Sequence, residues 1–381
     1  MTRSVVVTGV GLVTPLGQSA GEILDRIAAG NTAASKIPYD AGALLCPYYA
    51  PVSRFDPDAF FPENKTLRLM NRDAQMAVVA AHIAMEDAGV RADHTYPSEQ
   101  IALYGSTGVS NMAVEEMSRI IEYAAADDGS LDLRRFGQIA LKRVRPVMSF
   151  RILANMPICF VSIFENIRGQ NAVYTPWEGQ GAQAIASGIR AIQRGDVPCA
   201  LVGSCDVKTR ELSLVNLQQL GVFSSWEHHG RGCIPAEGAG FLVLEDQQKA
   251  AERGKRAYAR IADYAIRSTE SSGDLKSTLT SVMLSLQRTS YGAVIAGGDG
   301  DAAIDGSERQ AFEQAGVNAV EFLRPKSHVG NLFAAAAPVQ VALAAELVSH
   351  RNAGRPVLAN CFGFGTEQAS FLLETPCRGE S

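Results

Sequence analysis

Short runs rich in Val, Ile and Leu alternate with amphipathic stretches along the whole chain, and this alternation constrains the fold more than any other feature. A run of this kind suits a strand buried on both faces, and the stretch between two runs suits the helix that covers it, so the pattern belongs to an α/β protein. The first strand is expected at Ser4–Thr8. Met76, Val79, Ala80, Ile83 and Ala84 recur at helical spacing and stop before Gly89, which predicts a helix over 73–88 closed by a C-terminal glycine. Further strands are expected at Ile101–Gly105, Asn171–Tyr174, Cys199–Gly203, Gly238–Leu244, Ala257–Tyr264, Ala293–Ala296, Val357–Cys361 and Ser370–Leu373. Helices are expected at Ala182–Arg194, Leu275–Arg288, Glu308–Ala315 and Asn331–His350, with Asp305 and Glu308 forming a capping box.

The most charged segment, 247–256, divides the chain into a longer part, 1–246, and a shorter part, 247–381. Both carry the alternation without a linker, which suits two similar α/β units packed as one body, although no residue-level repeat joins them. A net charge of −5 without a run of Lys or Arg excludes the electrostatic footprint of a nucleic-acid or anionic-membrane binder. The longest apolar stretch, Leu332–Val348, is interrupted by Pro338, Gln340 and Glu346 and is expected as a buried helix, not a membrane span. The N-terminus enters a strand directly, without a secretory signal, and seven scattered cysteines without a CxxC pair argue for reduced thiols in the cytoplasm.

No cofactor or metal is expected. Gly9-Val-Gly11 has Thr14 where a dinucleotide-binding loop needs its third glycine, so it is expected as a tight turn. Gly297-Gly-Asp-Gly-Asp301 with Asp305 has Gln310 where a calcium loop needs Glu, which leaves a glycine-rich turn. His228-His229 has no spaced acid or cysteine to complete a metal set and is expected as surface loop.

Five segments occur in a fixed order: Val5 to Gly17, Asn155-Met-Pro with Val161-Ser-Ile163, Glu237 to Glu245, Lys326-Ser-His-Val-Gly330, and Asn360-Cys-Phe-Gly-Phe-Gly365. Together they resemble the successive signatures of β-ketoacyl-acyl carrier protein synthases, over essentially the whole chain. The resemblance implies a thiolase-like fold, α/β, duplicated into five α-β-α-β-α layers, normally assembled as a dimer. It also implies a nucleophilic cysteine on a strand-to-helix elbow, where the helix N-terminus lowers a thiol's pKa, and two histidines that polarise the thioester carbonyl.

In this chain Glu178 stands in the cysteine's place, Gly297 in the first histidine's and Asn331 in the second's. An amide still donates a hydrogen bond, but glycine can neither give nor take a proton, so no independent condensation is expected. The pattern resembles the chain-length factor, or ketosynthase β subunit, of type II polyketide and aryl polyene systems. That implies an active ketosynthase as heterodimer partner, an acyl carrier protein as second partner, Met112, Met117 and Phe364 on the acyl tunnel, and Lys326 in the pocket's hydrogen-bond network. The segment after Phe223-Ser-Ser225 is abbreviated relative to the family. The rival reading is a repurposed thiolase-fold enzyme using Glu178 as base for decarboxylation, cyclisation or hydrolysis of acyl thioesters. For Glu178 the simpler role is electrostatic, a carboxylate in a helix's first turn worth about 0.3 to 1 kcal/mol. The cations Arg134, Arg135, Lys142, Arg143, Arg145 and Arg151 form either a solvated face or a docking site for an acidic carrier protein.

Overall fold

The computed structural model describes residues 3–38, 42, 44–109, 114–144, 148–269, 275–351 and 354–376. Ten strands form the central sheet: β1 (Val5–Val13), β4 (Ile101–Thr107), β5 (Asn171–Tyr174), β6 (Cys199–Val207), β7 (Glu237–Asp246), β8 (Ala259–Ser268), β9 (Ser290–Ile295), β10 (Asn318–Leu323), β11 (Val357–Cys361) and β12 (Glu367–Glu374). A short hairpin, β2 (Ser35–Lys36) with β3 (Tyr48–Tyr49), stands apart. The strand order is β10-β9-β11-β12-β8-β1-β7-β6-β4-β5. Numbered within its own half, each set of five strands runs third, second, fourth, fifth, first, so the duplication absent from the residues is present in the topology. The sets join where Val5–Val7 pair antiparallel with Ala259–Ile261.

The layers follow from which faces are apolar. Helix Ala336–Glu346 buries almost every side chain and helix Glu178–Arg194 most of its residues, and both pack with the inward faces of the strands from both halves in one core. Helices Arg72–Ala88 and Met156–Phe164 cover the outer face of β1, β7 and β6, and helices Leu275–Ser285 and Ala302–Gln314 cover the outer face of the other half. This gives the five-layered thiolase-like arrangement. The stretch Phe333–Arg351 is the one described helix long and apolar enough to cross a membrane, and 83% of it is buried inside the protein, as a core helix requires.

Several expectations change at the ends of elements. Gly9 and Gly11 form no turn but lie inside β1, where a Cβ would sit 2.2 Å from the Ala84 carbonyl oxygen and 1.9 Å from that of Ala80. Glycine lets helix Arg72–Ala88 approach the strand backbone, and that helix is capped by Asn71 and closed by Gly89 in left-handed conformation. The capping box also gives way: Asp301 caps helix Ala302–Gln314 through Ala303 N and Ile304 N, while Glu308 is buried about two turns further in. The core helix expected from Asn331 begins at Ala336 after a short 3-10 turn, and the elbow helix begins at Glu178. His228 and His229 end a short helix, Ser224–His229, and stay exposed. Edge strand β10 escaped the sequence pattern because most of its residues are exposed.

Candidate functional site

The elbow is built by β5, the cis Thr175–Pro176 peptide and Trp177, whose extended backbone caps helix Glu178–Arg194. Glu178 is therefore the first helical residue, where unpaired backbone N–H groups favour an anion. Its side chain is only 1% exposed. Oε1 accepts a hydrogen bond from Asn331 Nδ2 at 2.9 Å and lies 3.8 Å from Lys326 Nζ; Oε2 accepts one from the Phe364 backbone N–H at 3.2 Å. Gly363 makes room for it, since a Cβ there would lie 1.9 Å from Oε1.

The surrounding groups are spent on one another. Asn331 Nδ2 also donates to Asp299 Oδ2 at 3.1 Å, and its Oδ1 accepts from Phe333 N at 2.9 Å. Lys326 Nζ donates to the Phe362 carbonyl at 2.6 Å and is 3% exposed. Cys233 Sγ lies 3.6 Å from Asn331 Nδ2; burial pushes the thiol well above its ordinary pKa, and the negative charges of Asp299 and Glu178 push the same way. Cys233 is thus held as a thiol, the reverse of what a nucleophile needs.

At the first-histidine position a Cβ on Gly297 would lie 2.5 Å from the Phe362 ring and 2.6 Å from the Asn360 carbonyl oxygen. Beneath it, Gly297 N and Gly298 N donate to Glu308 at 2.7 and 3.1 Å, and Asn360 Nδ2 does so at 2.6 Å. Burial raises the Glu308 carboxyl pKa against these donors. The glycine-rich turn is therefore anchored, and it aims Asp299 at Asn331.

Glu178, Lys326, Asn331 and Phe364 are brought together, with Gly297 packed against Phe362 next to them. Phe364 stands at the edge of the cluster, 38% exposed, its ring 5.0 Å from that of Trp177. Beside Trp177 opens a cleft of about 280 Å³ walled by Val109, Pro176, Leu217, Leu220 and Lys208. Neither Met117 nor Phe364 is among its described lining residues; Met117 is half-buried on helix Val114–Ala124, and Met112 lies outside the described residues. Sequence reasoning missed Asp299 and Cys233 as members of the site. Asp299 had the available signal, an acid two residues beyond the lost histidine.

Of the cationic segment, Arg135 pairs with Asp127 at 3.0 Å, Arg143 stacks over the Tyr123 ring at 4.3 Å, and Arg151 donates to the Arg68 carbonyl at 3.0 Å. Arg134 and Lys142 are exposed, and Arg145 lies outside the described residues. The same region carries exposed Ile121, Leu131, Leu133, Leu141, Leu153 and Ile163.

With the elbow, the lysine turn and the Gly-Phe-Gly turn converging on one cluster, residues 2–250 match the family model described as β-ketoacyl synthase, N-terminal domain. The chain belongs to the β-ketoacyl synthase family. It is 27% identical over 360 residues to the tetracenomycin polyketide synthase ketoacyl synthase beta subunit of Streptomyces glaucescens, covering 89% of this chain and 84% of that one. It is 26% identical over 276 residues to the 3-oxoacyl-[acyl-carrier-protein] synthase 2 of a Synechocystis strain, covering 69% of this chain but only 62% of the relative's length. The ishigamide ketosynthase/chain length factor superposes with a TM-score of 0.79 at 20% identity, covering 99% of this chain and 100% of that chain. A type II polyketide acyl carrier protein in complex with its ketosynthase gives 0.77 at 19%, covering 99% and 100%. These two structural likenesses establish the thiolase-like ketosynthase fold.

Proposed function

We propose that this β-ketoacyl synthase homologue is a non-catalytic partner subunit of the chain-length-factor type, pairing with a Cys-bearing ketosynthase to shape the acyl tunnel in polyketide or polyene elongation. The observation that carries the proposal is Glu178. The carboxylate replaces the nucleophile, and both of its oxygens already accept hydrogen bonds, from Asn331 and from the Phe364 backbone. A general base needs a lone pair facing substrate, and a side chain 1% exposed and doubly engaged is poorly placed to offer one. The bound carboxylate instead works as an internal plug, its charge met by the helix N-terminus and Lys326.

The partner assignment draws on the exposed apolar side chains of segment 121–163, Ile121, Leu131, Leu133, Leu141, Leu153 and Ile163. A stable interface buries about 800 Å² on each partner and wants such a surface at its centre. The exposed Arg134 and Lys142 beside this surface suit approach by an acidic acyl carrier protein. Equilibrium sedimentation of the chain mixed with a Cys-bearing type II ketosynthase should show a one-to-one complex. Separate species across the micromolar range would overturn the pairing.

A further inference from the structure

The cleft beside Trp177 is walled by apolar side chains together with Ser213, Asn216 and Gln219, and one buried ammonium lies among them. Lys208 is 5% exposed; its Nζ lies 2.8 Å from Asp206 Oδ1 and 3.5 Å from the Val109 carbonyl oxygen. An ammonium carries three donors. One is spent on Asp206 at full strength and one on Val109 at the limit of a hydrogen bond, which leaves capacity at the cleft wall. Asp206, 2% exposed, also accepts from Ala334 N at 3.3 Å and fixes the lysine's position.

A second observation lies along the same strand. Ser204 and Asp206 alternate at the end of β6 and so share one face, and Lys208 follows directly after the strand's last residue, Val207. Ser106 stands opposite Ser204 in the β4–β6 register, and the hydroxyl oxygens of both serines are buried without a hydrogen-bond partner. Of these groups, Lys208 is the one on the cleft wall.

We infer that this cleft receives an acyl chain bearing ketone oxygens, and that Lys208 selects such a chain over a saturated or polyene one. The inference rests on the proposed tunnel-forming role and adds the substrate class to it. A hydrocarbon pressed against Lys208 displaces water from its remaining donor and leaves that donor unpaired, whereas a ketone oxygen at the same point accepts it. Asp206 already neutralises the lysine, so the acceptor that fits is neutral and not a carboxylate. Sites built to hydrogen-bond a ligand group discriminate against analogues lacking it far more strongly than sites that only fill space.

The test is isothermal titration of the full chain with three pantetheine thioesters, octanoyl, 3-oxooctanoyl and the carboxylate-tipped octanedioyl. The 3-oxo probe should bind about tenfold tighter than octanoyl. The paired variant Lys208→Met with Asp206→Asn, which strands no lone buried charge, should bind both equally, at the wild-type octanoyl affinity, with an unchanged circular dichroism spectrum. Equal binding of both probes by the wild type, or a 3-oxo preference retained in the paired variant, overturns the role of Lys208 and leaves the acyl cleft standing. Tightest binding of the octanedioyl probe overturns the neutral acceptor. Binding of none of the three at millimolar concentration overturns the acyl cleft itself.

Discussion

Replacing Glu178 by alanine should cost about 3 kcal/mol of folding stability. The carboxylate accepts two hydrogen bonds, at 2.9 and 3.2 Å, and stands 3.8 Å from a lysine that is 3% exposed. A hydrogen bond to a charged group is worth about 1.5–3 kcal/mol, and removing one member of a buried ion pair costs about 3–5 kcal/mol. These do not add. Lys326 keeps the Phe362 carbonyl at 2.6 Å, and Asn331 keeps Asp299, so the lower end of the range applies. Glu178→Gln fills the same space but turns an N–H toward either Asn331 or Phe364, both of which donate, and should cost about 2 kcal/mol. Lys326→Met should cost about 3 kcal/mol alone and at least about 1 kcal/mol less in combination with Glu178→Gln, because the two share one interaction. Urea unfolding followed by tryptophan fluorescence reads these as midpoint shifts at constant slope. If Glu178→Ala lies within about 0.5 kcal/mol of wild type, the ordinary range of surface substitutions, the carboxylate is not the engaged structural group described here. The same variant should still assemble with a ketosynthase and lower product formation by less than about tenfold; a thousandfold loss from an intact complex would assign it about 4 kcal/mol of transition-state chemistry.

Leu133, 73% exposed among the apolar side chains of segment 121–163, should tolerate Asp without loss of thermal stability while weakening association with the ketosynthase at least tenfold by sedimentation; unchanged affinity would move the interface elsewhere. The His82 pKa is raised, chiefly by its hydrogen bond with Glu165 at 3.1 Å, with burial opposing. A raised pKa stabilises the fold fully below the ordinary histidine value of about 6.5, and the contribution is lost as pH rises through the folded value. Glu165→Gln should therefore destabilise the protein more at pH 5.5 than at pH 8.5, and a pH-independent difference would refute the assignment. Met117→Ala, on helix Val114–Ala124, should shift the heterodimer's products toward longer chains if this helix closes the tunnel; an unchanged distribution from a normally assembled complex would remove it from the wall.

The sequence pattern located nine of the ten sheet strands because most of them, parallel or antiparallel, are buried on both faces and read as continuous apolar runs. It failed where neighbours decide. Gly9 and Gly11 looked like a turn because local rules cannot see the helix that needs their missing side chains. Strand β10 is held to β9 by backbone pairing and presents a mostly exposed, mixed surface. At the site, Glu178 and Gly297 were legible as departures from the pattern that the family resemblance implies for a nucleophile and a histidine. What replaces them was not, since Asp299 and Cys233 reach Asn331 only when segments 32 and 98 residues away in the chain fold over it.

The central claim, that chemistry belongs to a partner and not to this chain, is tested most directly by intact-protein mass spectrometry of the mixed subunits after incubation with acyl-loaded carrier protein. The acyl mass should appear on the ketosynthase alone, and this chain should keep its unmodified mass with or without its partner. An acyl adduct on this chain, at Glu178 or at Cys233, would contradict the account.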